Sequence, residues 1–133
     1  MKRDKQLCLL VEDFEDSRFM MRRLLELAGY GVVEASDGEQ AVELAVQEHP
    51  ALILMDLSLP KLDGLAATRR IRRHKGVGKT PIVAVSAHDS SESRTEALEA
   101  GCDEYVTKPI DFDQLSELLE RFLPRPTNRG KVS

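Results

Sequence analysis

The stretch ALILMDLSLP, residues 51–60, runs five apolar residues directly into the carboxylate of Asp56. A short, continuous apolar run of this kind is typical of a strand in a parallel sheet that is covered on both faces. A carboxylate at the edge of a buried run is costly unless a partner satisfies it. The stretch therefore predicts a buried strand and raises the question of what Asp56 is for.

Four further apolar runs lie along the chain, and segments with helical periodicity separate them. The runs are LCLLV at 7–11, GVVEA at 31–35, PIVAVS at 81–86 and EYVT at 104–107. Strands that alternate with helices in this way predict an α/β fold of five βα units around a parallel sheet. Right-handed crossovers would place helices on both faces of that sheet.

The helical segments carry signals for their buried faces and for their first residues. The second helix is expected to begin at a capping box formed by Ser36 and Glu39, and the fifth at one formed by Asp111 and Gln114. Apolar spacing predicts that one face of the first helix points to the core. That face consists of Phe19, Met20, Leu24, Leu27 and Ala28.

Length and composition limit the class of protein. A chain of 133 residues is expected to form one domain, and 41% hydrophobic with 32% charged residues is typical of a globular protein. The formal net charge of −4 gives no general attraction to nucleic acid or to anionic membranes. We find no membrane span, no secretory signal and no metal or disulfide spacing for Cys8 and Cys102, which favours a cytoplasmic location.

Polar side chains follow four of the predicted strands at the point where each strand ends. The first strand ends in Glu12 and Asp13, the third in Asp56, the fourth in Ser86 and the fifth in Lys108. In open parallel sheets, ligands bind beside the carboxyl ends of the strands. We therefore expect three carboxylates, one hydroxyl and one ammonium group to meet at one edge of the sheet.

Such a cluster of carboxylates calls for a cation. Two carboxylates about 4 Å apart repel by about 4 kcal/mol at an effective dielectric constant near 20. Mg²⁺ relieves this repulsion, since it prefers oxygen ligands and often uses one or two carboxylates together with phosphate oxygens. Lys108 can balance the remaining charge, and an aspartate such as Asp56 can act as a nucleophile toward phosphorus. The pattern indicates a metal-assisted site for an anion.

At these positions the sequence resembles the receiver domains of bacterial two-component response regulators. The matching segments are LLVEDFED at 9–16, ILMDLSLPKLDG at 53–64, PIVAVSA at 81–87 and AGCDEYVTKPI at 100–110. The resemblance covers about residues 6–123 and implies a flavodoxin-like, doubly wound sheet of five parallel strands in the order 2-1-3-4-5. Residues 1–123 would form the receiver domain, and 124–133 a short flexible C-terminal tail.

The resemblance also implies a role for each residue of the site. Asp56 resembles the phosphoacceptor, which takes a phosphoryl group from a histidine kinase or a phosphotransfer protein. Asp13 resembles the direct Mg²⁺ ligand and Glu12 the ligand that acts through water. The backbone carbonyl of Ser58 is expected to complete the metal site together with Asp56.

Four further residues have family counterparts in phosphoryl binding and switching. Lys108 resembles the lysine that contacts a phosphoryl oxygen, and Ser86 resembles the hydroxyl that bonds to it, here in place of the more frequent threonine. Tyr105 resembles the aromatic residue that moves inward when that hydroxyl shifts. The bond between Lys108 and Pro109 is expected to be cis. The face at 90–122 would be the surface that a downstream protein reads.

The leading hypothesis is a stand-alone receiver that catalyses only its own phosphorylation and dephosphorylation and switches the binding of a partner protein. One alternative is a Mg²⁺-dependent phosphatase that forms an aspartyl phosphate, but such enzymes of the haloacid dehalogenase type carry a second aspartate where this chain has Ser58. Another is a scaffold that keeps the fold and needs no phosphorylation. The basic run TRRIRRHK at 68–75 is interpreted as a solvated helix face, with no direct contact to nucleic acid or membrane.

Overall fold

Strands and helices alternate strictly along residues 6–123, which are the residues described by the computed structural model. The elements are β1 Leu7–Val11, α1 Glu15–Leu27, β2 Gly31–Ala35, α2 Gly38–Glu48, β3 Leu52–Asp56, α3 Gly64–Arg73, β4 Ile82–Ser86, α4 Ser91–Ala100, β5 Glu104–Thr107 and α5 Phe112–Phe122. The tail predicted at 124–133 lies outside the described residues. Within those residues, none of the helices is both long enough and apolar enough to cross a membrane.

The five strands form one parallel sheet in the order β2-β1-β3-β4-β5, which confirms the predicted fold. All five residues of the central strand β3 are buried, as its continuous apolar sequence predicted. The strand register pairs Val11 with Met55 and Asp56 with Val85, so β1, β3 and β4 end at the same edge. This alignment brings the residues that follow the strands together.

Alternate residues of the strands enter two separate cores. Leu9 and Ile53 point to the face covered by α2, α3 and α4, whereas Leu10 and Leu54 point to the face covered by α1 and α5. The first core is rich in alanine from the helices, which allows those helices to pack close to the sheet. The second core depends on larger side chains, including Leu25 of α1.

The predicted buried face of α1 is wrong in part. Phe19, Met20 and Leu27 are exposed, the last of them by 69%, whereas Leu25 is fully buried. Apolar residues surround more than half of this helix, so periodicity alone does not select one stripe. The sheet selects the face that contains Leu25, and the residues that pack there with it are Met21, Leu24 and Ala28.

The two predicted capping boxes have different outcomes. The box at Asp111 and Gln114 is present at the start of α5. At α2 the N-cap is Asp37, whose carboxylate accepts a hydrogen bond from the backbone N–H of Gln40, so the predicted pair of Ser36 and Glu39 is wrong. Both serine and aspartate cap helices well. The tertiary contact of Gly38 with Leu62, where a β-carbon would lie 1.7 Å from the Leu62 carbonyl oxygen, places the helix start.

One arginine of the basic run is part of the fold. The guanidinium group of Arg72 donates hydrogen bonds to the backbone carbonyls of Gly101 (2.9 Å), Gly78 (3.1 Å) and Thr80 (2.7 Å), and to the carboxylate of Asp103 (2.9 Å). These contacts tie the end of α3 to the loop before β4 and to the connection between α4 and β5. The interpretation of this run as a solvated face therefore does not hold for Arg72.

Candidate functional site

Three carboxylates meet where β1 and β3 end. One oxygen atom from each of Glu12, Asp13 and Asp56 lies within 4.8 Å of the other two. Glu12 and Asp56 are 5% and 4% exposed, whereas Asp13 is open to solvent. The cluster arises because β1 and β3 are neighbours in register, although the sequence separates their last residues by more than forty positions.

Lys108 joins the two buried carboxylates. Its Nζ atom lies 3.0 Å from Oε1 of Glu12 and 3.2 Å from Oδ2 of Asp56. The residue follows β5, which is separated from β3 by β4, and only a long side chain can reach across that distance. The peptide bond between Lys108 and Pro109 is cis, in agreement with the expectation for Pro109.

Backbone N–H groups complete the environment of the buried carboxylates. The N–H of Phe14 donates to Oε2 of Glu12, and the N–H of Ser58 donates to Oδ1 of Asp56, both at 3.0 Å. Each buried carboxylate thus accepts one backbone and one lysine hydrogen bond. Since a carboxylate has about four acceptor positions, both retain capacity for a further ligand.

Burial raises the pKa of the Asp56 carboxyl, and the negative charge of Glu12 acts in the same direction. The Ser58 N–H and the Lys108 ammonium group lower it, but they offset only part of the rise. For Lys108, burial lowers the pKa, but the hydrogen bonds and charges of Glu12 and Asp56 outweigh burial and raise it. Lys108 is therefore held in its charged form. A metal cation beside Asp56, in addition to this lysine, would favour the ionised form of Asp56.

The donor set fits Mg²⁺. Glu12, Asp13 and Asp56 offer hard oxygen ligands, of which the solvent-facing Asp13 leaves room for the water molecules that Mg²⁺ retains. The backbone N–H of Ser58 already contacts Asp56, which places this residue beside the cluster. A metal contact from the Ser58 carbonyl stays a prediction.

Gly64 lets α3 start directly against Asp56 and Leu57. A β-carbon at this position would lie 2.4 Å from the carbonyl oxygen of Asp56 and 2.7 Å from the α-carbon of Leu57. Any larger residue would push α3 away from the end of β3. The glycine lies in the segment that carried the family resemblance, but the steric reason for it becomes visible only in the fold.

Ser86 and Tyr105 meet through the loop that follows β4. The Ser86 hydroxyl accepts a hydrogen bond from the backbone N–H of His88 at 3.0 Å, and the Tyr105 hydroxyl donates to the backbone carbonyl of His88 at 2.5 Å. Tyr105 is only 2% exposed. The structure thus has Tyr105 already in the inward position, a correction to the expectation that it starts outside. The backbone of His88 as the link between the two side chains was missed, since backbone contacts leave no sequence signal.

An apolar cavity of about 340 Å³ adjoins the carboxylates between α1 and the loop after β5. Its walls include exposed Met20, the cis-proline Pro109 and Ile110, and it opens onto Glu12, Asp56 and Lys108 at one side. A partner that reaches Asp56 through this opening would contact an apolar surface. Met20, which does not pack in the core, thus lines a cavity beside the carboxylates.

The family model described as response regulator receiver domain matches residues 8–120 of this chain. Transcriptional regulatory protein SrrA of Staphylococcus aureus is 38% identical over 102 residues, which are 77% of this chain and 41% of SrrA. The chain spans less than half the length of the curated relatives it matches.

Two solved structures show the same fold. The receiver domain of the sensor histidine kinase PA1611 from Pseudomonas aeruginosa, solved with a magnesium ion coordinated in its active site cleft, has a TM-score of 0.84 and 37% identity, covering 90% of this chain and 98% of that one. The chemotaxis protein CheY4 of Vibrio cholerae has a TM-score of 0.85 and 28% identity, covering 90% of this chain and all of its own.

Proposed function

The chain belongs to the response regulator receiver family of two-component systems, and we propose that it accepts a phosphoryl group on Asp56 and thereby switches the binding of a partner protein. The observation that carries the proposal is the position of Asp56. Its buried carboxylate lies within 4.8 Å of two other carboxylates and accepts a hydrogen bond from Lys108. A residue that served only to cap or to pack would not need this environment.

Each residue of the site would have a separate role in phosphoryl transfer. An Asp56 oxygen forms a bond to phosphorus while the bond between phosphorus and the donor's imidazole nitrogen breaks, and the electron pair of that bond stays on the nitrogen. Mg²⁺, held by Glu12, Asp13 and Asp56, would supply the charge that neutralises the phosphoryl oxygens. Lys108 keeps its proton and can turn from the carboxylates to a phosphoryl oxygen. The Ser86 hydroxyl can donate to another.

Receiver domains act with histidine kinases or phosphotransfer proteins, and we assign the donor to that class. The apolar cavity beside Asp56 and the exposed Met20 on α1 support a protein donor, because they offer an apolar contact next to the reacting group. The cytoplasm is the proposed location. Both cysteines are buried and unpaired, as is usual in a reducing compartment.

The output surface of the proposal is the face formed by α4, β5 and α5. A groove of about 300 Å³ lies there, lined by Arg94, Tyr105, Glu117 and Arg121 among others. Helix α4 buries only Ala97 and Ala100, so little apolar area holds it in place. A pull on Ser86 would reach Tyr105 through the backbone of His88. The chain would then act as a switch that catalyses only its own phosphorylation and dephosphorylation.

The test is intact-protein mass spectrometry after incubation with acetyl phosphate and Mg²⁺. We expect a gain of one phosphoryl group in the wild type, none in Asp56→Asn, and none after chelation of Mg²⁺. Asp113→Asn is the matched control, because it removes an exposed carboxylate of α5 that lies outside the site. A label that persisted in Asp56→Asn would refute the assignment of the acceptor.

A further inference from the structure

A long part of this acidic chain carries no acidic residue. Between Asp63 and Asp89 there is neither aspartate nor glutamate, although the whole chain has a net charge of −4. Within that part, five exposed cationic side chains lie on the end of α3 and in the loop that follows it. We call them the basic surface: Arg69, Arg70, Arg73, Lys75 and Lys79.

The basic surface differs from the other basic residues of the described chain. Arg18, Arg22 and Arg121 form ion pairs with glutamates, and Lys61 and Lys108 with carboxylates of other elements. Within residues 6–123 no member of the basic surface forms an ion pair. Among the described residues, Arg23 on α1 and Arg94 on α4 are also exposed without an ion pair, but Arg23 stands singly and Arg94 lies over the ring of Tyr105.

The end of a helix explains only part of this cluster. Cations at the last turn interact favourably with the helix dipole. However, Arg69 and Arg73 are four residues apart and Arg70 and Arg73 three apart, and like charges at these spacings repel each other on a helix. Lys75 and Lys79 lie beyond the helix and add to the same positive field. A bound anion would relieve the repulsion between these cations.

The neighbours of α3 indicate the shape of that anion. Helix α3 packs between α2 and α4. Both neighbours expose carboxylates, which are Glu39, Glu43 and Glu48 on α2 and Glu92, Glu96 and Glu99 on α4. A bilayer or a nucleic acid duplex is wide enough to meet these acidic flanks and would be repelled. The residues of α3 and its loop include no phenylalanine, tyrosine or tryptophan on which a base could stack.

We infer that the basic surface binds an acidic polypeptide segment of a partner protein, one that is narrow enough to lie along α3 between its acidic neighbours. Helix α3 begins beside Asp56 and runs back toward the opposite edge of the sheet, so its basic end lies far from the phosphorylation site. The binding is therefore expected not to require phosphorylation, although α4, which borders this peptide, also belongs to the output surface.

The test is fluorescence anisotropy with a labelled glutamate-rich peptide at low ionic strength, with a glutamine-rich peptide of equal length as the neutral control. We expect the double variant Arg69→Glu, Arg73→Glu to weaken binding of the acidic peptide by about tenfold or more, and added salt to do the same. Arg23→Glu is the control, because it reverses the charge of an exposed, unpaired helical arginine elsewhere. Thermal unfolding checks that each variant folds.

Three results would overturn the inference. One is failure of the wild type to bind the acidic peptide better than the neutral one. Another is an equal loss of affinity in Arg23→Glu, which would show attraction without a specific surface. The third is tighter binding of duplex DNA or of phosphatidylserine vesicles than of the peptide. The phosphorylation test at Asp56 reads a different property, so its outcome does not decide this one.

Discussion

At the scale of single residues, opposing interactions act on the pKa of the Asp56 carboxyl group. Burial and Glu12 raise its pKa, while Ser58 and Lys108 partly offset that rise. Because the raised pKa marks the ionised form as unfavourable in the folded protein, ionised Asp56 lowers the stability of the fold without metal. A bound cation would favour the ionised carboxylate and would therefore offset this loss of stability.

Asp56→Asn should therefore stabilise the metal-free protein by about 1 kcal/mol, because the neutral amide removes the unfavourable charge. For a domain of this size, the melting temperature would rise by about 4 °C. The gain should be full above the raised pKa of Asp56 and shrink as the pH falls through it, since the wild-type carboxyl then takes a proton. Thermal unfolding between neutral and acidic pH measures both effects.

Asp13→Asn removes the exposed carboxylate of the cluster and so reduces the repulsion among the three carboxylates. It should also raise the metal-free melting temperature. Asp113→Asn again serves as the control and should leave it unchanged. A melting temperature equal to or below that of the wild type in both site variants would contradict a crowded acidic site.

Lys108→Met should have the opposite effect. It leaves Glu12 and Asp56 buried without their common cation, and we expect a loss of about 2 kcal/mol in metal-free buffer, reduced from the value for a fully buried pair because the lysine side chain is 30% exposed. Mg²⁺ should bind this variant more tightly than the wild type, since it replaces the missing charge. Urea unfolding with and without Mg²⁺ measures both quantities. A stability equal to that of the wild type would show that the ion pairs contribute little.

At the scale of the elements, Arg72 connects three parts of the fold. Its guanidinium group bonds to the loops before β4 and β5, and Asp103 in turn accepts a hydrogen bond from the backbone N–H of Ile82 at 2.9 Å. This network holds the end of α3 against the strand that carries Ser86. It also separates Arg72 from the neighbouring arginines that face solvent.

Arg72→Ala should lower the free energy of unfolding by about 2 kcal/mol, because three backbone carbonyls and one carboxylate lose their donor. Arg73→Ala provides the control from the next position of the same helix, and there we expect a change within about 0.5 kcal/mol of zero. Urea denaturation gives both values. Equal effects of the two substitutions would show that the network has no energetic role.

Helix α4 and strand β5 are the elements through which the switch is expected to act. Addition of beryllofluoride with Mg²⁺, which stands in for the phosphoryl group, should change hydrogen exchange around residues 86–106 in the wild type. Ser86→Ala should reduce that change, because the hydroxyl that would bond to the new oxygens is gone. Since Tyr105 is already inward, the expected response is lower exchange of the loop at His88 rather than a large movement of the ring.

Two other results of the hydrogen-exchange experiment would contradict parts of the proposed switch. Changes confined to residues 56–64, with the face at 90–122 unaffected, would contradict the switch. They would leave Asp56 as a phosphoryl carrier in a relay. A response in Ser86→Ala as large as in the wild type would instead show that the switch operates without the Ser86 hydroxyl.

At the scale of the whole molecule, metal binding at this cluster would be linked to folding, because the carboxylates of Glu12 and Asp56 meet only when β1 and β3 pair. A ligand that binds only the folded state stabilises it by about 2.7 kcal/mol at one hundred times its dissociation constant. Mg²⁺ should therefore raise the melting temperature of the wild type and have little effect on Asp13→Ala. Unchanged calorimetric affinity for Mg²⁺ in Asp13→Ala would contradict the metal assignment.

Much of the fold could be read from the sequence because most strands are short apolar runs, and the segments between them show helical spacing of apolar residues or helix-capping signals. The polar residues that end those runs, together with the edge rule for parallel sheets, predicted that Glu12, Asp13, Asp56, Ser86 and Lys108 would lie at one edge. The structure places all five there, brings the three carboxylates within 4.8 Å of one another, and pairs Lys108 with Glu12 and Asp56. Their chemical roles remain proposals.

The sequence by itself determined the alternation of elements, the buried central strand and the residue types at the strand ends, because these depend on local pattern and on a general property of parallel sheets. The tertiary structure alone decided which face of α1 is buried, that Asp37 rather than Ser36 caps α2, and that Tyr105 is inward. It also decided that Arg72 is hydrogen-bonded within the fold while the neighbouring arginines stay exposed. Each of these depends on a contact between elements distant along the chain. Where local pattern allows several equivalent choices, as for the apolar stripes of α1, only packing against the sheet selects one.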